Sequence, residues 1–473
     1  MRLLTALFTT RPALSTDVST SHANTTNSDD KSRLSVIKHP AERADDVVGI
    51  LSGIVPNLPK IIVDQDRVLA AAVAISTNVI GPAIRARNFP ETITKSTLTL
   101  LQELTRLPGN QKTWKKDISD AFNDARFFGS AVALVQSHWL PLLRQWTLTD
   151  NKDRMLEILA RITPPTTAGI VFGVGATSAR LEADRRTQLN LRRVAALVLA
   201  ASPDAFAAEL PAILDKLVEL LGASATSSPS STTRAEVYMV VRALVLRTSA
   251  VHLSPLWPVV NAELHAAVSS VAASASTSDS SAAATSADTY SGAAVLQACK
   301  LLDLLVVVAP DDFQLHEWLF VTDTVDAVYR SAAYQPVALV DELSEELGNG
   351  PVAPGALTSQ QQHGEDSSSS SSANTLYRKR RPLLLNISVE DTLLAGGGTD
   401  GGNGGSGSSN SAAPGGGNGK KDELVARVLR PFFAQLSIFA FESTYAMGAL
   451  DEDACVAALL RDLFDERTIV RAL

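Results

Sequence analysis

Gln297 to Tyr329 reads QACKLLDLLVVVAPDDFQLHEWLFVTDTVDAVY, and this stretch decides the fold. Val295, Ala298, Leu302 and Leu305 recur at helical spacing, with further apolar residues between them, so the first half predicts a helix buried on most sides. Pro310 ends that helix, and Asp311 or Asp312 can cap a second. The second segment carries Phe313, Leu315, Trp318, Leu319 and Phe320, in a chain with only 5% aromatic residues. Thr322 or Asp323 opens a third, with Val325, Val328 and Tyr329. Three apolar helical pieces joined by almost no loop must pack on one another or on neighbours. They hold no paired catalytic groups and no metal-ligand spacing, so the stretch predicts a packing or docking element.

The same period runs outward in both directions. From Ala44, Val47, Val48, Ile50, Leu51 and Ile54 make a short apolar face. Ile61 to Ile84 is a longer, Ala-rich helix. Pro90-Glu91 opens another, carrying Leu98, Leu101 and Leu104. Residues 131–146 and 154–162 continue the series until Pro164-Pro165 stops it. A second series covers 189–200, 205–221, 235–246, 256–271 and 295–308. No stretch alternates with the period of a strand. Helices in tandem predict an all-α, HEAT-like helical-repeat solenoid, although no strict repeat period is present.

Composition divides the chain further. Residues 1–43 read as a disordered or leader segment, 44–222 and 235–347 as helical-repeat regions, and 422–473 as a C-terminal helical unit. Low-complexity sequence fills 223–234, an inserted Ser/Ala loop at 273–287, and a Ser/Gly-rich linker at 348–421. Such composition buries too little apolar area to offset ordering entropy, so these tracts are expected to be flexible tethers. Inside the long linker, residues 377–385 form a basic island followed by an apolar run. After it, Leu424, Val428, Leu429, Phe432, Phe433 and Leu436 make one apolar stripe, and Ala454, Ala457, Leu459, Leu460 and Leu463 another.

With 473 residues and 45% hydrophobic content, a sizeable core is available. The net charge of −8 argues against a nucleic-acid binder, which needs a basic face to displace counterions. The two cysteines, Cys299 and Cys455, make no disulfide framework and fit a reducing compartment. Val68 to Ile84 is the most membrane-like segment, but Ser76, Thr77, Asn78, Gly81 and Pro82 interrupt it, so a buried helix is expected. Met1 to Thr26, with Arg2, Arg11, many Ser and Thr and no acid before Asp17, imitates a mitochondrial presequence. That leader carries the alternative reading, a mitochondrial helical-repeat protein.

Motifs for chemistry fail on inspection. Gly173-Val174-Gly175 has Ser178 where a dinucleotide fingerprint has its third glycine, and no βαβ context; a loop after Pro164-Pro165 is expected. His316-Glu317 would need a second imidazole at Phe320 to bind zinc on a helix face. No GxSxG elbow occurs. Asp117, Asp120 and Asp124, beside Lys115 and Lys116, read as a solvated, salt-bridged helix face. The chain is therefore expected to be no enzyme and to need no cofactor. Arg378, Lys379, Arg380 and Arg381 are open to three readings. They are a contact for anionic lipid head groups, worth ~1 kcal/mol per charge, a nuclear localisation run, or a solvated edge beside Leu383, Leu384 and Leu385.

Four segments in order, Lys112–Phe128 (KTWKKDISDAFNDARFF), Val251–Leu264 (VHLSPLWPVVNAEL), Gln297–Tyr329 and Leu429–Leu463, resemble the C-terminal region of the Dopey family, large cytosolic proteins of endosome and Golgi traffic. Members of that family are much longer and have a separate N-terminal domain, so the chain corresponds to a C-terminal portion. The resemblance implies a non-enzymatic scaffold in endosome-to-Golgi retrieval and Golgi protein transport, on the cytosolic face of Golgi and endosome membranes. It implies work beside a large Arf-exchange-factor-like scaffold and a phospholipid flippase, with links to kinesin in animals. Such a scaffold offers shallow apolar grooves to partner helices. Trp257, Phe313, Trp318, Phe320 and Tyr329 are the residues placed to shape one, and each reads equally as core.

Overall fold

The computed structural model describes residues 40–149, 154–163, 175–226, 232–275, 290–321, 338–348, 379–388, 421 and 423–470. The structure is all-α. Among the described residues there is no β-strand; one parallel bridge pairs Arg380 with Leu450. The chain forms two compact units, Met1–Asn151 and Lys152–Leu473.

In the first unit, α1 (Pro40–Ile54) packs on α3 (Lys95–Arg106), which Thr94 caps by accepting from the Thr97 amide. Between them in sequence, α2 (Gln65–Ile84) is a 20-residue helix with a π-helical turn at Ser76–Ile80. By length and composition it could cross a membrane, yet half of it is buried in the unit, with Val68, Ala72, Ile75, Val79 and Ile80 turned inward. This agrees with a core helix. α4 (Gln111–Asn123) and α5 (132–149) complete the unit. Their aromatic residues meet Phe127 of the intervening 3-10 turn (Ala125–Gly129) edge-to-face: Phe127 lies 5.5 Å from Phe122 and 5.2 Å from Trp139, and Phe122 lies 5.7 Å from Trp146. Such pairs each add about 0.5–1.5 kcal/mol beyond their buried area.

Asp117 corrects the expectation of a solvated acidic face. It is 5% exposed and accepts a short hydrogen bond from the Ser76 hydroxyl of α2. Burial pushes its carboxyl up to about 6, against the opposing effect of Ser76. Asp120 and Asp124 do face the surface side: Asp120 pairs with Arg85 at 3.7 Å, and Asp124 accepts from the Arg126 amide and guanidinium. The helix has an acid every three or four residues. Only one of the three falls on the apolar stripe set by Trp114, Ile118 and Ala121.

The second unit begins with α6 (Arg154–Ala160) and is built around a row of three helices, α7 (Gly175–Ala200), α9 (Thr232–Arg247) and α11 (Gly292–Val308), each packed on the next. Almost every residue of α11 from Ala294 to Val307 is buried, which explains its near-continuous apolar sequence. It ends at Ala309, which takes the left-handed conformation (φ 46°), followed by Pro310. α8 (Leu210–Thr226) and α10 (Trp257–Ala275) flank the row, and α12 (Leu339–Leu347) lies on α10. The C-terminal helices α13 (Arg430–Tyr445) and α14 (Glu452–Leu463) then return to the same body. α13 packs on α12 and α11, and α14 on α9 and α7.

α7 starts well before the expected Leu189. Its first half lacks apolar periodicity and is charged, held by pairs such as Glu182 with Arg186 (2.9 Å). α8 and α10 run to Thr226 and Ala275, a turn into the Ser/Ala-rich tracts, as the high helix propensity of Ala allows. Of the expected tethers at 223–234, 273–287 and 348–421, residues 227–231, 276–287, 349–378 and 389–420 lie outside the described residues, as do Gly173 and Val174 of the expected loop, while Gly175 opens α7.

Candidate interaction sites on the second unit

Four of the five aromatic residues expected to shape a groove fall into two environments. Trp257, Phe313 and Phe320 are core, at 2%, 0% and 0% exposed. Phe313 sits between the other two, with ring centroids 5.9 Å from Trp257 and 6.1 Å from Phe320. Trp318 is 62% exposed beside exposed Leu315. Tyr329 lies outside the described residues. The division follows from backbone geometry. After Pro310 the chain makes only four residues of α-helix, Asp311–Gln314, and then a 3-10 turn, Glu317–Leu319. Phe313 and Phe320 bracket that turn and point inward, while the residues inside it are carried to the surface. Among the described members of the set, Trp318 is the one open to a partner, and the three buried aromatics hold the turn in place.

An apolar groove does exist, but elsewhere. Leu214, Leu217 and Val218 of α8, Val237 and Val241 of α9, and Val260 of α10 border a concavity of about 410 Å3, part of it open to solvent. Tyr238 and Glu263 supply its polar edge, with the Tyr238 hydroxyl donating to Glu263 at 3.1 Å. No single window of sequence marks it, because three separate helices each contribute an ordinary apolar face.

The basic island is an internal clamp as well as a surface feature. The Arg380 amide donates to the Ala449 carbonyl (2.9 Å), and its guanidinium donates to the carbonyls of Gly448 (2.8 Å) and Ser443 (3.1 Å). Arg381 and Lys379 pair with Asp451 at 2.7 and 3.5 Å. Both keep more than half of their side chains exposed, so their outer charge remains presented to solvent. Arg378 lies outside the described residues. Leu384 is buried, so the apolar run that follows the charges is anchored in the body.

A seam of buried charge runs where the C-terminal helices meet the row. Arg192 of α7 pairs with Glu236 of α9 (3.0 Å) and donates to the Leu463 and Asp465 carbonyls (2.7 and 2.9 Å). Arg242 of α9 and Lys300 of α11 both hold Asp462 of α14, at 2.7 and 2.8 Å. Burial pushes Asp462 upward, but the Lys300 and Arg242 charges overcome it and hold the carboxyl below its usual value. Asp303 of α11, fully buried, accepts from the Leu383 and Leu384 amides (3.0 and 2.6 Å); burial pushes it up to about 7 despite those bonds. These charges point from three row helices toward one covering layer. An apolar-period reading of α9 and α11 sees the helices and misses the seam, since Asp462 lies 162 residues from Lys300 and 220 from Arg242.

Chemically, the seam binds and positions. Its charges are paired internally. The thiols of Cys299 and Cys455 are buried, and burial pushes both up, Cys455 to about 12, which disfavours the reactive thiolate. Among the described residues, no three His, Cys, Asp or Glu side chains gather as a metal site.

The model of the DOP1 C-terminal family matches residues 1–446. The chain is 44% identical to protein dop1 of Emericella nidulans over 469 residues, covering 99% of this chain and 22% of that protein. It is 26% identical over 288 residues to protein DOP1 of Saccharomyces cerevisiae, covering 59% of this chain and 16% of that one. With protein DOP1B of Xenopus laevis it shares 27% identity over 244 residues, 47% of this chain and 10% of that protein. No solved structure matches the chain. The chain belongs to the Dopey (DOP1) family, within its C-terminal region. It spans about a fifth or less of the length of these relatives.

Proposed function

We propose that this chain is the C-terminal helical scaffold of a protein that serves vesicle-mediated protein transport between endosomes and the Golgi. It acts without catalysis, through protein partners at the cytosolic membrane face. The observation that carries this reading is the family match across residues 1–446. The internal pairing of the unit's buried charges supports it, because they are arranged for cohesion rather than for turnover. The partners in this reading are a large Arf-exchange-factor-like scaffold and a phospholipid flippase, with kinesin as a further one. The exposed Lys379 and Arg381 side chains add a modest, salt-sensitive attraction to anionic lipid.

A fluorescent fusion of the full gene product, imaged against Golgi, endosome and mitochondrial markers, tests it. Golgi and endosome signal, with delayed return of a cargo that cycles between them when the gene is silenced, supports the proposal. Mitochondrial signal that depends on Met1 to Thr26 favours the alternative reading instead. Affinity purification of the same fusion tests the named partners.

A further inference from the structure

The segment Lys379–Ser388, KRRPLLLNIS, sits in the second unit in the manner of a bound peptide. Its sequence neighbours on both sides, 349–378 and 389–420, are Ser- and Gly-rich, so it joins the body as an isolated island. The main chain of Arg380 pairs in both directions, donating to Ala449 and accepting from the Asp451 amide at 2.9 Å each. That is strand addition reduced to a single bridge. Asp303, at the floor, clasps two successive amides, those of Leu383 and Leu384. Leu384 is the deep anchor, 1% exposed. At the rim, Asp451 meets Lys379 and Arg381, and Arg461 donates to the Leu385 carbonyl at 3.3 Å.

Pro382, Leu384 and Leu385 of the segment line a shallow, partly open crevice with Lys300, Asp303 and Cys455 of the floor. The floor and rim specify a ligand independently of its tether. They offer one carboxylate for two successive amides of a turn, one rim carboxylate for cations on the amino-terminal side, and one apolar pit.

We propose that the groove formed by α11, α14 and the Gly448–Asp451 turn is a peptide-recognition site, which the chain keeps filled with its own Lys379–Ser388 and which a partner protein enters with a segment of the same chemistry. That chemistry is two or three basic residues, a proline, and a Leu-rich run folded as a turn, in which the Leu385 and Ile387 amides donate to the Pro382 and Leu384 carbonyls at 3.4 and 3.2 Å. Asp451 selects its cations, and Asp303 selects the turn by accepting its two successive amides. Tethering keeps the internal segment at an effective concentration on the order of millimolar, so an outside ligand must outcompete it or bind after it is displaced. The inference stands on the groove alone and does not depend on the transport reading.

Fluorescence polarisation with a labelled KRRPLLLNIS peptide tests it. In the full chain with Lys379–Ser388 replaced by ten Gly/Ser residues, the peptide should bind saturably, and at least tenfold more tightly than to the unaltered chain. Asp303→Asn in that background, or Asp in place of the Leu384 residue in the peptide, should each weaken binding at least tenfold. If the emptied chain does not fold, the unaltered chain decides. Protease sites placed in 349–378 and 389–420 free the segment, and mass spectrometry follows its replacement by excess isotope-labelled peptide. Exchange within hours supports the site. A segment that never exchanges, a folded emptied chain that ignores the peptide, or equal binding by both chains would overturn it. A concentration-dependent dimer that free peptide fails to dissolve would also overturn it, by making a second copy the occupant.

Discussion

Replacing Asp462 with Ala removes the anion that two row helices share. Its side chain is 4% exposed, and so are its partners nearly so, Lys300 at 3% and Arg242 at 6%. Arg242 retains the Gln297 side-chain oxygen at 2.7 Å. Lys300 is left as a buried ammonium without a counter-ion. Breaking a buried pair in this way costs ~3–5 kcal/mol, most of it the stranded charge. With about 1.4 kcal/mol per factor of ten, the opening equilibrium of α14 rises roughly a hundred- to a few-thousand-fold. Hydrogen exchange of amides 452–463, read by mass spectrometry under conditions where opening is at equilibrium, measures this directly. Glu452→Ala on the same helix is the control. Its pair with Arg247 is half exposed on the Glu452 side, and its loss should change stability by less than ~1 kcal/mol. The triple change Arg242→Met, Lys300→Met and Asp462→Leu should recover most of the loss, since an apolar cluster replaces the whole ionic one at little net cost. Indistinguishable exchange in Asp462→Ala and Glu452→Ala would refute the reasoning.

Phe313→Ala empties the centre of the aromatic stack and should cost ~3–5 kcal/mol, whereas exposed Trp318→Ala should stay within ~0.5 kcal/mol; thermal unfolding of the two variants checks the contrast. Asp117 has a folded-state pKa raised to about 6 from 3.8, so the stability it contributes is fully present below the lower value and is lost as pH rises through the upper one. The first unit should therefore lose about 2 kcal/mol between pH 4 and pH 7 from this group, and Asp117→Asn should flatten that dependence in hydrogen exchange of amides 114–122. Cys299 and Cys455, buried and with thiols pushed up, should resist iodoacetamide in the native protein at pH 8 and react on unfolding, as peptide mass mapping would show.

Much of the fold was legible because burial leaves a period. Gly292–Val308 is apolar on nearly every side and is buried on nearly every side, and Pro310 stops it where the left-handed Ala309 breaks the helix. The first half of α7 was hidden because it is stabilised by charge pairs rather than an apolar stripe. Aromatic content pointed to the right turn but not to its inside and outside. Whether Phe313 or Trp318 faces the core depends on a switch from α to 3-10 geometry that spacing does not encode. The acidic run on α4 concealed buried Asp117, whose partner Ser76 lies 41 residues away. The apolar groove and the charged seam were least legible, since each is assembled from several helices and neither leaves a mark within one window.

The central claim is that α13 and α14 complete the helical body rather than hang beside it. A protease site placed within 389–420 of the full chain separates residues 421–473 from the rest without touching a described helix. Gel filtration of the cut protein in 1 M salt then gives the answer. The account predicts that the C-terminal piece co-elutes with the body, held by the apolar stripes of α13 and by the seam from Arg192 to Asp462, both of them screened from salt. Elution of that piece as a separate folded species would contradict it.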